Sequence, residues 1–309
     1  MLVIDELSRG IQVQIERPIF IIGTGRCGST IIFEALALHE GLAWFSSYNE
    51  RFPEAELASI MPRLYDVSFI PRGEKRQFKQ GRLLLNRFLP KPAECYRKWA
   101  VMCGQKFARE YLIGVKAAPE EAFRVLRAVK AALSLQGKRR FLNKITGPSR
   151  IGYLQSIFPD ALFVHVVRDG RAVVNSLLGV DYWREGGGLE RPYWETGLPE
   201  KWREEWMNYG STPATLAAMQ LRAILKVCEE ERRLLGENQY LKVAYEDFIE
   251  DPKAVITCVL EFCGLEESRR LSSYLNQLDD DKYVSMNKKY LERFSEAELE
   301  SIDRILGYE

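Results

Sequence analysis

The sequence has few of the residues that build metal centres and cross-links. Only two of its 309 residues are histidines, His39 and His165, which excludes a histidine-rich metal site. Its six cysteines are spread along the chain without a Cys-x-x-Cys pair, and they predict free thiols in a reducing compartment. We interpret both histidines as structural, and we expect no metal.

Long apolar runs are also missing. The longest are of strand length, such as residues 18–23, so the sequence predicts no transmembrane segment. The first ten residues include acidic side chains where a signal peptide needs a basic start and an apolar core. We therefore expect a cytoplasmic protein.

The chain lacks an excess of either charge. It has 44 Lys+Arg and 43 Asp+Glu, whereas a general nucleic-acid binder usually has a basic surplus, so we expect no nucleic-acid partner. Hydrophobic residues make up 46% of the sequence, which is too many for a disordered protein and typical of a globular one.

Short apolar runs alternate with amphipathic segments. Four runs of strand length lie at residues 18–23, 140–144, 161–167 and 240–244. Helical patterns follow the first three, beginning at about residues 29, 149 and 170. This order predicts an α/β fold with a doubly wound, mainly parallel sheet covered by helices on both faces.

Three further helix starts are marked by N-cap residues. Thr212 and Asp251 each precede a proline, a pair that is typical of the first turn of a helix. Ser295 and Glu298 have the spacing of a capping box. We expect these helices to reach about residue 235, about residue 263 and the C-terminal end of the sequence.

We predict a single domain over residues 1–309, because neither an internal repeat nor a Gly/Ser/Pro-rich linker divides the chain. Two stretches depart from the alternating pattern and predict acceptor-side insertions at about residues 60–110 and 181–210. Residues 72–98 hold nine Lys/Arg and two acidic residues, and they fit a solvated helix face or a surface that steers an anionic acceptor. Residues 181–206 hold four of the six tryptophans, and we expect at least two of these to pack against the core.

A glycine-rich turn follows the first predicted strand. In Gly23-Thr-Gly-Arg-Cys-Gly-Ser-Thr30, the backbone N–H groups before a helix start form an anion cradle. The spacing of Gly23 and Gly28 is that of a P-loop, but Ser29 stands where the phosphate-binding lysine belongs. The turn therefore fits a phosphate ligand without the lysine that nucleotide hydrolysis needs.

A second anion site is predicted at the end of the strand 161–167. Arg168 follows this strand directly, and Ser176 lies eight residues later in the next helix. Ligands of open α/β sheets bind beyond the carboxyl ends of the strands, so Arg168 is placed to bind an anion through two hydrogen bonds. The alternative is a surface Arg168–Asp169 cluster that caps the helix.

These motifs resemble those of the sulfotransferases that use 3′-phosphoadenosine 5′-phosphosulfate (PAPS), and they occur along the chain in the same order as in that family. The turn resembles their 5′-phosphosulfate loop, Arg168 with Ser176 resembles their 3′-phosphate motif, and Tyr245-Glu-Asp-Phe-Ile-Glu-Asp-Pro252 resembles an element near the adenine. The resemblance implies a P-loop-like sulfotransferase fold, PAPS as co-substrate and adenosine 3′,5′-bisphosphate (PAP) as product. It implies a nucleotide site formed by Gly25, Arg26, Cys27, Gly28, Ser29, Thr30, Arg168, Ser176, Tyr245 and Lys288.

Catalysis of sulfuryl transfer needs a cation and a base. The resemblance assigns Lys144 as the cation, because members of the family have a lysine at the end of this strand, and Arg26 occupies a loop position where many have lysine. Cytosolic members have Lys-x-His at that strand end, but Thr146 replaces the histidine here. The branches that act on carbohydrates and protein tyrosines use a glutamate, and we expect Glu50 to be this base. The alternatives are an exposed lysine at 144 and a Glu50 carboxylate paired with Arg51.

The leading hypothesis is an enzyme that sulfates a hydroxyl of a small molecule or glycan, with a carbohydrate or glycolipid as the favoured acceptor. A P-loop kinase or NTPase is a second hypothesis, which Ser29 opposes. A third is a non-catalytic PAP-binding protein, which would be expected to lose Lys144 or the base while it keeps Arg168 and Ser176. The oligomeric state is left open.

Overall fold

A five-stranded parallel sheet forms the centre of the molecule. The structure is a computed structural model that describes residues 14–66, 88–181, 183, 200–276 and 287–308. The strands lie in the order β2-β3-β1-β4-β5 and all neighbours pair in parallel. Their bounds are β1 Ile19–Gly23, β2 Leu42–Trp44, β3 Arg140–Thr146, β4 Leu162–Val167 and β5 Tyr240–Ala244.

The two faces of the sheet are covered by separate apolar layers. Along β1, Ile19 and Ile21 belong to one buried cluster, whereas Phe20 and Ile22 belong to another. Side chains of a strand alternate between faces, so the continuous apolar run indicates burial on both sides. The predicted α/β fold with a doubly wound parallel sheet is confirmed.

The sequence prediction missed one strand and shortened another. The strand β2 has three residues, too few for its apolar pattern to be distinguished from the end of the preceding helix. The strand β3 continues to Thr146, two residues beyond the predicted end. Lys144 is therefore the fifth of seven strand residues and pairs in register with Ile21 of β1.

Helices connect and cover the strands. Those before β4 are α1 Ser29–Leu36, α2 Ser47–Arg51, α3 Tyr96–Cys103, α4 Lys106–Arg109, α5 Pro119–Gln136 and α6 Ile151–Ile157, with a 3₁₀ helix at Glu56–Asp66. Those after it are α7 Gly170–Leu177, α8 Glu200–Asn208, α9 Pro213–Glu231, α10 Tyr245–Glu250, α11 Pro252–Cys263, α12 Arg269–Leu275, α13 Tyr290–Arg293 and α14 Glu296–Leu306, with a second 3₁₀ helix at Arg232–Leu234.

The predicted N-caps are confirmed. Thr212 Oγ1 accepts a hydrogen bond from the Thr215 N–H at the start of α9, and Asp251 does the same for Ala254 in α11. The capping box of Ser295 and Glu298 opens α14. The helix α9 ends at Glu231, and the 3₁₀ helix that follows accounts for the predicted extension to about residue 235.

The three tryptophans of residues 181–206 that the structure describes pack against the core. Trp183 is buried and its Nε1–H donates to Gln220, while Trp202 and Trp206 are partly buried against the apolar cluster of α7, α9 and α14. The expectation that at least two of the four tryptophans pack is confirmed. Trp194 and most of the basic stretch 72–98 lie outside the described residues.

Candidate nucleotide and sulfuryl-transfer site

The glycine-rich turn joins the carboxyl end of β1 to the first turn of α1. Gly28 is the N-cap residue of α1 and has φ 89°, a left-handed conformation that glycine adopts without steric cost. A Cβ at this position would lie 2.1 Å from a ring carbon of Tyr245, so the tyrosine packs directly on the turn. The predicted loop and the predicted Tyr245 element are therefore in contact.

Inside the turn, Cys27 faces the protein interior. Its thiol is buried, and burial raises its pKa above the usual cysteine value. A Cβ on Gly23 would lie 2.6 Å from Cys27 Sγ, so a residue with a side chain does not fit at position 23. The side chain of Cys27 thus fills space beneath the loop, and only its backbone remains for a ligand.

Lys144 reaches the turn from the neighbouring strand β3. Its Nζ donates to Thr30 Oγ1 over 2.8 Å, and its side chain is 8% exposed. The alternative of an exposed strand-end lysine is therefore wrong. Lys144 supplies a cation to a loop that has Ser29 in place of the P-loop lysine, so the ammonium group comes from a different strand.

Arg168 leaves β4 at the same edge of the sheet. Its Nε donates to Asn287 Oδ1 over 2.7 Å, its Nη1 donates to the Arg26 carbonyl over 3.1 Å, and its Cζ lies 4.9 Å from the centre of the Tyr245 ring. Burial lowers the pKa of this guanidinium from its ordinary value. Asp169 caps α7 by accepting from the Arg171 N–H, as the surface-cluster alternative expected, while Arg168 itself contacts Asn287, Arg26 and Tyr245.

The two predicted phosphate motifs meet through Arg26 and Ser176. Arg26 Nε donates to Ser176 Oγ over 2.9 Å, across 150 residues of sequence. Arg26 also has a positive φ of 70°, a conformation uncommon for residues with a side chain. The loop after β1, the strand end at Arg168 and the helix α7 therefore form one cationic surface.

Lys288, which the sequence assigned to the nucleotide site, is joined to this surface through its neighbour Asn287. Lys288 itself is exposed, whereas Asn287 accepts from Arg168 and donates through Nδ2 to Glu246 Oε1. Glu246 also accepts from the Asp169 N–H. The sequence predicted neither the contact of Asn287 with Arg168 nor its contact with Glu246, because these contacts join residues that are far apart along the chain.

A carboxylate that the sequence did not single out lies against Lys144. Glu94 Oε1 is 2.7 Å from Lys144 Nζ, and Thr146 Oγ1 is 3.1 Å and 3.0 Å from the two oxygens of Glu94. Glu94 precedes α3 in a segment whose Pro92 pairs with Ser46 beyond β2. Sequence reasoning had no signal for it, since the contact joins residues 50 positions apart.

Glu50, the base predicted from the sequence, has a different contact. Its Oε2 accepts from the Arg97 N–H over 3.1 Å, in the first turn of α3. The predicted alternative, a pair with Arg51, is absent from the contacts of the described residues. Glu50 and Glu94 both lie near Cys95, whose pKa is raised by burial and then by the Glu50 charge.

The two histidines have structural partners, as expected. His39 bonds the Glu266 carbonyl and accepts from the Gly41 N–H, and His165 bonds the Tyr240 hydroxyl. All six cysteines are free thiols. Within the described ranges, no cluster of His, Cys, Asp and Glu has the geometry of a metal site.

A sequence model of the sulfotransferase family matches residues 18–269. The chain belongs to the sulfotransferase family. This match spans the glycine-rich turn, Glu50, Lys144, Arg168, Ser176 and Tyr245, whereas Lys288 lies beyond its end. The P-loop kinase hypothesis is therefore wrong, and the protein is a sulfotransferase. Its family implies PAPS as co-substrate.

Known relatives of this sulfotransferase include mycobacterial enzymes. The omega-hydroxy-beta-dihydromenaquinone-9 sulfotransferase Stf3 of Mycobacterium bovis is 26% identical over 295 residues, covering 86% of this chain and 68% of the relative. Stf3 of Mycobacterium tuberculosis gives the same values.

Solved sulfotransferases share the fold. The structure of STF9 from Mycobacterium avium has a TM-score of 0.59 and 15% identity, covering 99% of this chain and 79% of that one. STF1 from Mycobacterium tuberculosis H37Rv has a TM-score of 0.53 and 16% identity, covering 92% and 80%. In the part of the chain that the structure describes, no helix has the length and apolarity needed to cross a bilayer.

Proposed function

We propose that this sulfotransferase transfers the sulfuryl group of PAPS to the hydroxyl of an apolar, lipid-type acceptor. The observation that carries this proposal is the contact of Lys144 Nζ with Thr30 Oγ1, which places a buried ammonium group on the phosphate-binding turn. The presence of Lys144 also argues against a non-catalytic PAP-binding protein, which would be expected to lose it.

The donor nucleotide fits along the carboxyl edge of the sheet. We assign the 5′-phosphosulfate to the turn from Gly25 to Thr30, where a helix start offers N–H donors. Arg168, Ser176 and Lys288 are assigned to the 3′-phosphate, since the first two already meet around Arg26. Tyr245 packs against the turn and is assigned to the adenine side.

The chemistry requires an in-line displacement at sulfur. The acceptor oxygen forms a bond to sulfur while the bond from sulfur to the phosphate oxygen breaks, and PAP leaves with that electron pair. Lys144 and Arg26 offset the negative charge that develops on the leaving oxygen. A carboxylate takes the hydroxyl proton, and the candidates are Glu50 from the sequence and Glu94 from the structure.

Two observations support an apolar acceptor. The Stf3 relatives are named for a hydroxylated menaquinone. In this chain, Phe52, Leu57 and Ile60 are 49%, 58% and 41% exposed. Phe52 directly follows the helix α2 that holds Glu50, and the other two lie on the next 3₁₀ helix. Leu57 and Ile60 share one face of a 3₁₀ helix, because its side chains repeat every three residues. The expected carbohydrate acceptor is not supported by the described tryptophans, which pack internally.

A transfer assay tests the proposal. The enzyme is incubated with PAPS that carries labelled sulfur and with a polyprenyl alcohol, its methyl ether or a neutral oligosaccharide. We expect a labelled ester from the alcohol and none from the ether, which has no hydroxyl to react. Label on the oligosaccharide alone would restore the carbohydrate hypothesis, and release of phosphate from ATP instead would contradict sulfuryl transfer.

A further inference from the structure

We propose that Glu94 is the base that takes the proton of the acceptor hydroxyl. The inference rests on the proposed sulfuryl transfer and names a catalytic residue for it. Glu94 Oε1 lies 2.7 Å from Lys144 Nζ, the cation assigned to the leaving oxygen. In an in-line displacement the acceptor oxygen and the leaving oxygen lie on opposite sides of one sulfur atom, so a base that reaches the acceptor hydroxyl lies only a few ångströms from the cation at the leaving oxygen.

Thr146 holds the Glu94 carboxylate by a hydrogen bond. Its hydroxyl lies 3.1 Å and 3.0 Å from the two oxygens of Glu94. Thr146 stands two residues after Lys144, where cytosolic members of the family carry the histidine of Lys-x-His. A threonine is no base at neutral pH, but here it holds a carboxylate at the same strand end. Glu94 thus brings a basic oxygen to that position from another part of the chain.

The segment around Glu94 is attached to the sheet on both sides. Before it, Pro92 pairs with Ser46 beyond the end of β2. After it, the Tyr96 hydroxyl donates to the Thr146 carbonyl over 2.5 Å and accepts from the Thr146 N–H over 3.1 Å. These contacts fix the carboxylate relative to the end of β3. A base positioned in this way loses little freedom when the acceptor binds.

Glu50 has a positioning role in this arrangement. Its Oε2 accepts from the Arg97 N–H, in the first turn of the helix α3 that Glu94 precedes. A carboxylate at a helix start satisfies an N–H group that has no partner within the helix. Glu50 therefore stabilises the helix start next to Glu94, and it accepts no proton from the acceptor.

The exposure of the two charged groups fits their roles. The Glu94 side chain is 24% exposed, whereas that of Lys144 is 8% exposed and points to Thr30. The carboxylate therefore lies on the outer side of the ammonium group, from which an acceptor arrives. In the reaction, the acceptor oxygen bonds to sulfur, its proton moves to Glu94, and PAP departs. Water then removes the proton from Glu94.

The geometry also predicts an effect on binding. The Glu94 carboxylate shares Lys144 with the sulfuryl group of the donor, and the two negative charges repel each other. Replacing Glu94 by glutamine removes this repulsion and leaves Lys144 without a carboxylate partner, although it keeps its bond to Thr30. The variant should therefore bind PAPS as tightly as the wild type or more tightly, although it transfers the group slowly. PAP has no sulfuryl group, so its affinity should hardly change.

The experiment compares Glu94→Gln with Glu94→Asp, Glu50→Gln and Glu56→Gln. Glu56 is the matched control, because it also pairs with a cation, Arg127 at 2.7 Å, but on the α5 side of the molecule. Dissociation constants for PAP and PAPS are measured by calorimetry. Turnover is followed as sulfate released from PAPS to water and as transfer to a polyprenyl alcohol, so the first readout does not depend on the acceptor.

We expect Glu94→Gln to lower both rates about 100-fold or more, the usual contribution of a general base. PAP affinity should stay within about twofold, and Glu94→Asp should recover part of the rate because it keeps a carboxylate. A Glu94→Gln rate within about threefold of wild type, or equal losses of PAP binding and rate, would overturn the proposal. A larger loss of rate in Glu50→Gln than in Glu94→Gln would also overturn it. A wild type that does not bind PAP would instead overturn the proposed function.

Discussion

At the scale of single residues, His165 shows how burial fixes a charge state. It lies inside β4 beside the Tyr240 hydroxyl and the Cys228 thiol, with Lys242 and Arg232 as the nearby charges. Burial first, and then these two cations, lower its pKa to about 4. The folded protein therefore holds His165 neutral at pH values at which an unfolded chain protonates its histidines.

This difference predicts an acid-dependent loss of stability. Since the folded pKa is depressed, the unfolded state binds the extra proton, and stability falls as the pH drops from about 6.5 to about 4. The contribution of His165 amounts to roughly 3 kcal/mol at the acid end. We expect the unfolding free energy of His165→Gln to vary less with pH than that of wild type over this window, measured by denaturant titration. Parallel curves would contradict this.

The residues of the site differ in how far the sequence reveals them. Gly28, Arg26 and Arg168 are predictable because a turn motif or a strand end marks them locally. Lys144 is predictable only with the family resemblance, and its burial against Thr30 is not. Glu94 has no local pattern, since its role follows from contacts with a strand about 50 residues away.

At the scale of elements, the strands β1, β3 and β4 were predictable because burial on both faces makes their buried runs nearly continuous. The edge strand β5 was predictable from its short apolar run, although Lys242 in its middle is exposed. The short strand β2 and the 3₁₀ helix at Glu56–Asp66 were not. In that helix the buried residues Ser59, Pro62 and Tyr65 repeat every three positions. A search for the α-helical period of 3.6 does not find this pattern.

The exposed apolar residues of this region give a prediction at the same scale. We expect the triple variant Phe52→Ser, Leu57→Ser, Ile60→Ser to raise KM for a polyprenyl alcohol roughly tenfold, because these side chains offer apolar surface to the acceptor. PAP affinity should be unchanged. The control is Met207→Ser, Leu234→Ser, Leu291→Ser, which removes similarly exposed residues elsewhere. Equal effects of both triple variants on KM would contradict an acceptor surface in the segment that follows α2.

At the scale of the whole molecule, the formal charge of +1 conceals a local excess of positive charge. Arg26, Arg168 and Lys144 come from three separate parts of the sequence and meet at one edge of the sheet. The parallel order of β3, β1 and β4 causes this, because the carboxyl ends of parallel strands lie together. A balanced composition therefore excludes a general polyanion binder but not a ligand with several phosphates.

The central claim is that this edge binds a nucleotide through its 3′-phosphate. The most direct measurement is calorimetric titration of wild type and Arg168→Ala with PAP and with adenosine 5′-monophosphate, which lacks that phosphate. We predict that wild type binds PAP at least tenfold more tightly than adenosine 5′-monophosphate. Arg168→Ala should remove most of this difference in affinity, as expected for a charge-assisted hydrogen bond worth about 1.5–3 kcal/mol. Equal affinity of wild type for the two nucleotides, or an unchanged preference in Arg168→Ala, would contradict the account.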